Sequence, residues 1–488
     1  MKPRTASKTA LFIATLVVAL TAAAWQLTPE RASQAAGREA RVASAVAVCP
    51  SPTYVPDTAD TVVSAMTPQG LQADPGSLQV STLSGSGLAQ TSLPSVPLRV
   101  SAQDPQAPPV VVSAKEGLAP GLSVDQVTRV SSGDSRGLLD SPCVAPSTDF
   151  WFVGGGANVG RRSQLYLTNV DSTPAQVDIA VFSENGRVPA PNARGLIVDS
   201  HSRKVLDLAA LAPGVSTTAV HVTVTIGRLA AGLLDIQVSG LDPQGADWVP
   251  PVAGLAKKVV VPGVIDSPDG SRKLSVVAPG DADATVKVSV VAPDGVFTPE
   301  GMDAIEVPAG AVREIDLTGV QPTSRISVVV DSDVPVVAGV RSIRGPAGTI
   351  PEVAYLAGAS PITAPTALAE NRTTATTQSI LVLTAPETRG KVTLATVDAD
   401  GHRIEQAVDV AAGTTTTVDL TGPIAGVAAA YAVVVTPDAK SGPVYGSRWI
   451  VENGARGWLL TAESLATSKF TVRVPDVHPD AGAGLSGH

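Results

Sequence analysis

Three stretches of this chain repeat one another at intervals of just over a hundred residues, and that repetition limits the available folds more than any other feature. The first, Leu165 to Gln237, contains VDIAVFSENG, SRKVLDL and AAGLLDI. The second, Leu274 to Gly345, contains VKVSVVAPDG, AVREIDL and VVAGVRSI. The third, Ile380 to Val451, contains KVTLATVDADG, TTTVDL and VYGSRWI. Each opens on a short alternating strand and reaches a turn at Asn185-Gly186, Asp294-Gly295 or Asp400-Gly401. Each then carries an Asp-Leu pair (Asp207-Leu208, Asp316-Leu317, Asp419-Leu420) and a late glycine, Gly232, Gly339 or Gly446. Corresponding markers lie 103 to 109 residues apart, so the units are tandem copies.

The local pattern says what one copy is. In VKVSVV, Val286, Val288 and Val290 alternate with Lys287, Ser289 and Val291, the period of a strand with one buried face. HVTVTI (221–226) and RISVVV (325–330) behave alike. Asn-Gly and Asp-Gly supply the positive φ of two-residue hairpins. With 44 Gly, 40 Pro and 3% aromatics, the composition describes short Val- and Thr-rich strands between turns. The fold expected is all-β: tandem immunoglobulin-like sandwiches, with a β-propeller of two blades per repeat as the alternative. A chain of 488 residues is too long for one core and must divide. Residues 1–28 form a signal peptide or membrane anchor, 29–45 a linker, and 46–147 a degenerate first β unit. Residues 148–250, 251–357 and 358–474 are sandwich units, and 475–488 a disordered tail. The first unit is suggested by Gly137-Leu138-Leu139-Asp140, which matches Gly232-Leu233-Leu234-Asp235.

Lys2, Arg4 and Lys8 precede an uncharged stretch from Thr9 to Pro29, a charge bias that leaves the N-terminus in the cytoplasm and exports the rest of the chain. Ala22-x-Ala24 fits signal cleavage, while the apolar run ending near Trp25 is long enough to stay as a single-pass anchor. The expected location is therefore the cell membrane with the bulk outside, or alternatively the medium. The two cysteines, Cys49 and Cys143, read as one disulfide of an exported protein. A net charge of -9 and no basic stripe exclude nucleic acid as a partner.

Candidate chemistry is sparse. Gly154-Gly155-Gly156-Ala157-Asn158-Val159-Gly160, with Arg161 and Arg162 directly after it, would make an anion-binding loop or a turn between strands. Its spacing fits neither a P-loop nor a dinucleotide fingerprint. Asp199-Ser200-His201-Ser202 places three triad residue types side by side, but neighbours on a strand face opposite ways, and a solvated turn is the default. Asp281/Asp283, Asp331/Asp333 and Asp398/Asp400 raise calcium without the distal glutamate of an EF-hand. Trp151, Trp248, Trp449 and Trp458 suit either a carbohydrate-binding face or packing. Trp151, Arg161 and Arg162 are the candidate ligand-binding residues. No catalytic residue, metal ligand or cofactor site is nominated, and the chain is read as a non-enzyme.

The stretch from Cys143 through DFWFVGGGANVG to LYLTN, with the VFSENG turn and LDL, resembles a family of uncharacterised exported actinobacterial proteins, a domain of unknown function. The resemblance implies an envelope or membrane-associated protein with no assigned activity. The expected function is a non-enzymatic extracytoplasmic scaffold whose partners are envelope proteins or cell-wall glycan. The alternatives are a carbohydrate-binding accessory to a wall enzyme and an unrecognised hydrolase.

Overall fold

The computed structural model describes residues 38–51, 59–68, 75–102, 108–345, 349–424, 430–454 and 457–474. The segments expected as signal or anchor and as tail lie outside the described residues. The chain divides into two compact units. In the smaller one, Arg38–Arg41 pairs antiparallel with Thr471–Val474. The larger, Val42–Phe470, holds every other strand. The expected linker thus ends in strand: its last residues, from Ser44, already belong to the first sheet.

The larger unit contains four two-layer sandwiches of one topology. The fourth shows it plainly, with strands Thr366–Arg372, Thr377–Ala385, Gly390–Asp398, Arg403–Val410, Thr414–Asp419, Ala430–Pro437, Tyr445–Gly454 and Gly457–Ser464. The first, sixth, third and fourth strands make one sheet in that order; the fifth, second, seventh and eighth make the other. The first sandwich (44–142) has the same order, as do the second (149–249) and third (256–357) with two local variations. The fourth strand is split in two in both, and in the third Ile326–Arg344 serves as sixth and seventh strand at once. Each repeat is therefore one sandwich and not a pair of propeller blades.

The sequence markers acquire physical roles here. Val286, Val288 and Val290 are wholly buried while Thr285 and Lys287 face water. Gly186, Gly295 and Gly401 all have positive φ at their hairpins, where a side chain would be strained. The Asp-Leu pair ends the fifth strand. Asp207 accepts the N–H of Ala209 at 2.9 Å and Asp316 that of Thr318 at 2.8 Å, which turns the chain. The adjacent Leu208, Leu317 and Leu420 each plug a core. The first sandwich is real, but the match that suggested it is out of step. Gly137–Pro142 is an eighth strand, whereas Gly232–Asp235 lies in a seventh, Ala230–Ser239.

The four sandwiches close into a ring. Their eighth strands (Gly137–Pro142, Asp242–Val249, Glu352–Ala357 and Gly457–Ser464) pack in cyclic order, the fourth returning to the first. Around them, the first strands of the second, third and fourth sandwiches pack on the next one's seventh-strand sheet, and in the first sandwich Pro50, just past that strand, does so. Pro50 lies over Gly232, the Val153 carbonyl over Gly339, and Gly263 against Ser447, beside Gly446. The repeated glycine is a notch at or beside which a neighbouring strand docks.

Cys49 closes the first strand of its sandwich and Cys143 comes just after the eighth; the two are disulfide-bonded across 94 residues. The adjoining Pro50 and Ser51 carbonyls accept from Arg203 of the second sandwich at 3.1 and 2.9 Å. The bridge therefore also steadies the first ring joint.

Candidate functional site

The residues nominated for ligand binding are built into a joint. Trp151 is 4% exposed, stacked on His221 with ring centroids 4.0 Å apart and tilted on Phe182 at 5.4 Å. It packs with Val277, Val312 and Val337 of the third sandwich. A ring so covered offers no face to a sugar. Arg161 donates from Nη1 to the Ser216 carbonyl and from Nη2 to Asp235 and to the Tyr355 hydroxyl, both at 3.0 Å. Arg162, half-buried, is the second residue of the same strand, Arg161–Asn169. The glycine loop's amides are also used inside the chain: Gly154 N–H meets the Thr218 carbonyl, Gly156 N–H the Ser163 hydroxyl, and Ala157 N–H the Val215 carbonyl. An anion cradle needs such amides free.

The other candidates are turns and joints. Asp199, Ser200 and His201 form an exposed turn, with the Ser202 hydroxyl on the Asp199 carbonyl at 2.8 Å. Asp283 and Asp333 each accept a backbone N–H. Asp398, Asp400 and His402 bring ligand atoms within 4.8 Å of one another. Asp398 nevertheless accepts the amides of Asp400 and His402 and faces the His402 ring at 2.9 Å, the bonding of the hairpin's own turn. Trp248 stands edge-on to Tyr166 among first-sandwich residues Ala59, Val130 and Leu139. Trp449 donates to the Gly263 carbonyl at 2.6 Å across the third joint, and Arg344 sits over the Trp458 ring.

The unusual chemistry lies where the sequence drew no attention, in buried carboxylates along the ring axis. Asp140 N–H donates to Asp247 at 3.0 Å, and the Thr461 hydroxyl reaches the same carboxylate. Ala246 N–H donates to Glu352 at 3.2 Å, and Arg136 faces that carboxylate at 3.7 Å. These contacts lace all four eighth strands together. Burial pushes the Asp247 and Glu352 carboxyls well above the usual carboxylate range.

At the second joint Asp235 receives Ser163 and Tyr355, each at 2.5 Å, besides Arg161 and Gln237. Burial alone would raise its carboxyl, but Arg161 and the two hydroxyls outweigh that and hold it below the usual range. At the joint between fourth and first sandwiches, Arg448 is wholly buried between Asp140 and Glu463, and it also donates to the Glu370 carbonyl. Asp125 accepts the N–H groups of Ala369 and Glu370 at 2.6 and 3.1 Å. Glu370 in turn holds Arg99 with two bonds, at 2.8 and 2.7 Å. A charged residue inside an otherwise alternating apolar strand, as in GLLD or YGSRWI, was the one available signal.

Among the described residues, clefts open to solvent include the following two. One, of about 560 Å³, lies on the second sandwich between Ile179, Pro189 and Pro191, with Arg187 and Arg194 at its sides. The other, of about 410 Å³, lies between Arg129 and Arg136 of the first sandwich and Gly454, Gly457 and Leu459 of the fourth. Among the described residues no helix is long and apolar enough to cross a membrane.

Residues 99–421 match the Family of unknown function (DUF5719), a span from the fifth strand of the first sandwich past the fifth strand of the fourth. No curated protein matches. Among solved structures, a Thermotoga maritima 1070 crystal structure is 17% identical, covering 21% of this chain and 92% of its own, with a TM-score of 0.19. A tetra-tandem repeat in the extending region of a large adhesion protein is 14% identical, covering 86% and 98%, with a TM-score of 0.12. Streptomyces avermitilis alpha-L-rhamnosidase complexed with L-rhamnose is 10% identical, covering 88% and 54%, with a TM-score of 0.13. Likenesses this distant carry no argument about function.

Proposed function

Because the chain belongs to a family of unknown function, its role has to be argued from its own architecture, and we propose a non-enzymatic scaffold or interaction protein of the bacterial cell envelope, working outside the cytoplasmic membrane. The observation that carries this reading is the ring itself. Four sandwiches are locked by joints that absorb the buried carboxylates, arginines and tryptophans, which leaves rigid sheets and loop edges as the surfaces available to partners. The disulfide suits an oxidising compartment, and the apolar segment with its preceding positive charges suits attachment at the outer face of the membrane.

The test is chemical crosslinking of intact envelopes of the native host, recovery of the chain, and identification of its neighbours. A reproducible envelope partner, lost when the ring is disrupted, supports the scaffold. Recovery of nothing beyond an unrelated exported sandwich protein overturns it.

A second reading, binding of an acidic wall glycan, is favoured by the groove between Arg187 and Arg194, whose proline walls and two cations suit an anionic chain. Retention of an anionic polysaccharide should fall when both arginines become alanine. Unchanged retention removes the idea.

A further inference from the structure

We propose that the junction between the fourth and first sandwiches is the latch of the ring, the place where it opens and recloses, and that it opens as pH rises. Three junctions join sandwiches consecutive in the chain; this one joins the ends of the array, where the Val42 N–H donates to the Phe470 carbonyl at 3.0 Å and the Gly121 N–H to the Lys469 carbonyl at 2.9 Å. The third and fourth sandwiches share one continuous core that includes Trp449, Ile380 and Val382. The second and third meet through Trp151, Phe182 and three valines, and the first and second through Trp248 and Tyr166. The latch has the small residues Ala367, Ala369, Ala395 and Ala432 around Met66 and Val434, and a patch of Val127, Leu138, Ile450 and Leu459.

Its remaining material is ionic and buried. Arg448 from the seventh strand faces Asp140 from the first sandwich's eighth strand, Glu463 from its own eighth strand, and Asp125 from the first sandwich's seventh. Asp247 lies behind Asp140, and Tyr431 is the other titratable neighbour of Arg448. Glu370 is served separately by Arg99, Arg372 and Ser64. The rim pair Arg129–Glu452 closes the edge at 2.6 Å. One guanidinium cannot balance Asp125, Asp140 and Glu463 all ionised in a medium that solvates charge poorly, so the closed latch must hold protons. The individual groups agree. Burial raises Asp125, lifts Asp140 to about 7 against the pull of Arg448, and raises Glu463 and Asp247 well above the carboxylate range.

Proton counting gives the sign. When the latch opens, these carboxyls return to water and ionise near pH 4. Open therefore binds fewer protons than closed, and each proton released favours opening about tenfold per pH unit, until the pH passes the closed-state value. Glu370 works the other way. Burial would raise it, but Arg99 and Ser64 hold it below the usual range, so its contribution is lost only in acid. The latch is tightest near the ordinary carboxylate range and loosens as pH rises from there; the contribution of Asp140 is used up by about 7, and Glu463 and Asp247, raised well above that range, carry the loosening further.

Hydrogen exchange on the full chain tests this, with rates corrected for the intrinsic pH dependence of amide exchange. The reporters are the Ala369 and Glu370 amides, which bond to Asp125 across the latch. The references are Val252, bonded to the Trp151 carbonyl, and Gly263, bonded to Ser327. Between about pH 6 and about pH 9 the reporters should lose at least about tenfold more protection than the references. Asp140→Asn combined with Glu463→Gln should remove most of that difference. Equal change at all four amides, or no change at any, overturns the proposal. The wild-type comparison decides it even if the double variant does not fold.

Discussion

Replacing Gly339 by alanine tests the claim that the repeated glycine is a docking notch. A Cβ built on Gly339 would stand 2.8 Å from the Val153 carbonyl oxygen of the second sandwich, 3.2 Å from the Leu356 carbonyl and 3.3 Å from Val153 Cβ. Two of those atoms are backbone oxygens held in strands, so the docked strand itself has to move. Overpacking of this kind costs about 1–3 kcal/mol. The substitution also recovers about 0.4–1 kcal/mol by stiffening the unfolded chain. The net loss expected is about 1–2 kcal/mol. Gly319→Ala is the control, because nothing lies within 4 Å of its Cβ and its φ is not positive. It should match the wild type or exceed it by up to about 1 kcal/mol. Urea unfolding monitored by tryptophan fluorescence reads the effect, since Trp151 lies at the same joint. If both variants unfold at the same midpoint, the notch is not a docking surface and the account of the repeat fails.

Reduction of the Cys49–Cys143 bridge, or its replacement by two alanines, should cost about 4–5 kcal/mol for a loop this long, read as an earlier unfolding midpoint under reducing conditions. An unshifted midpoint would show that the ring alone holds the first sandwich. Asp235→Ala strands Arg161 without its carboxylate and should cost about 3–5 kcal/mol in denaturant unfolding, well beyond Tyr355→Phe, which leaves that pair in place. Equal losses would mean that the hydroxyl, not the charge pair, holds this joint. Arg272 is wholly buried and caps the carbonyls of Val320, Gln321, Pro322 and Ser324; burial depresses it to about 10. Arg272→Met leaves those acceptors unpaired, and loss of stability by less than about 1 kcal/mol in thermal unfolding would refute its role.

Much of the fold was legible because its cause is local. Period-2 alternation in VKVSVV, the turns at Asn185-Gly186 and Asp294-Gly295, and the Asp-Leu strand end each act within a few residues. They therefore recur wherever the unit recurs. The first sandwich was detectable but misaligned, because Gly137-Leu138-Leu139-Asp140 copies the letters of a seventh strand while occupying an eighth. The nominated site residues misled for a related reason. Trp151 and Arg161 look like surface chemistry in a string, but the third sandwich docks over both at the second joint.

Strands, turns, repeat and disulfide were therefore readable along the chain, since each depends on neighbouring residues or on a bare count. Three features emerge only on folding: the four sandwiches close on themselves, their late glycines sit where neighbouring strands dock, and Asp125, Asp140 and Glu463 share one arginine. These last depend on groups 308 residues apart in the case of Arg448 and Asp140, a separation no periodicity encodes. Burying charge there costs free energy that is offset only when the whole ring places the partner opposite.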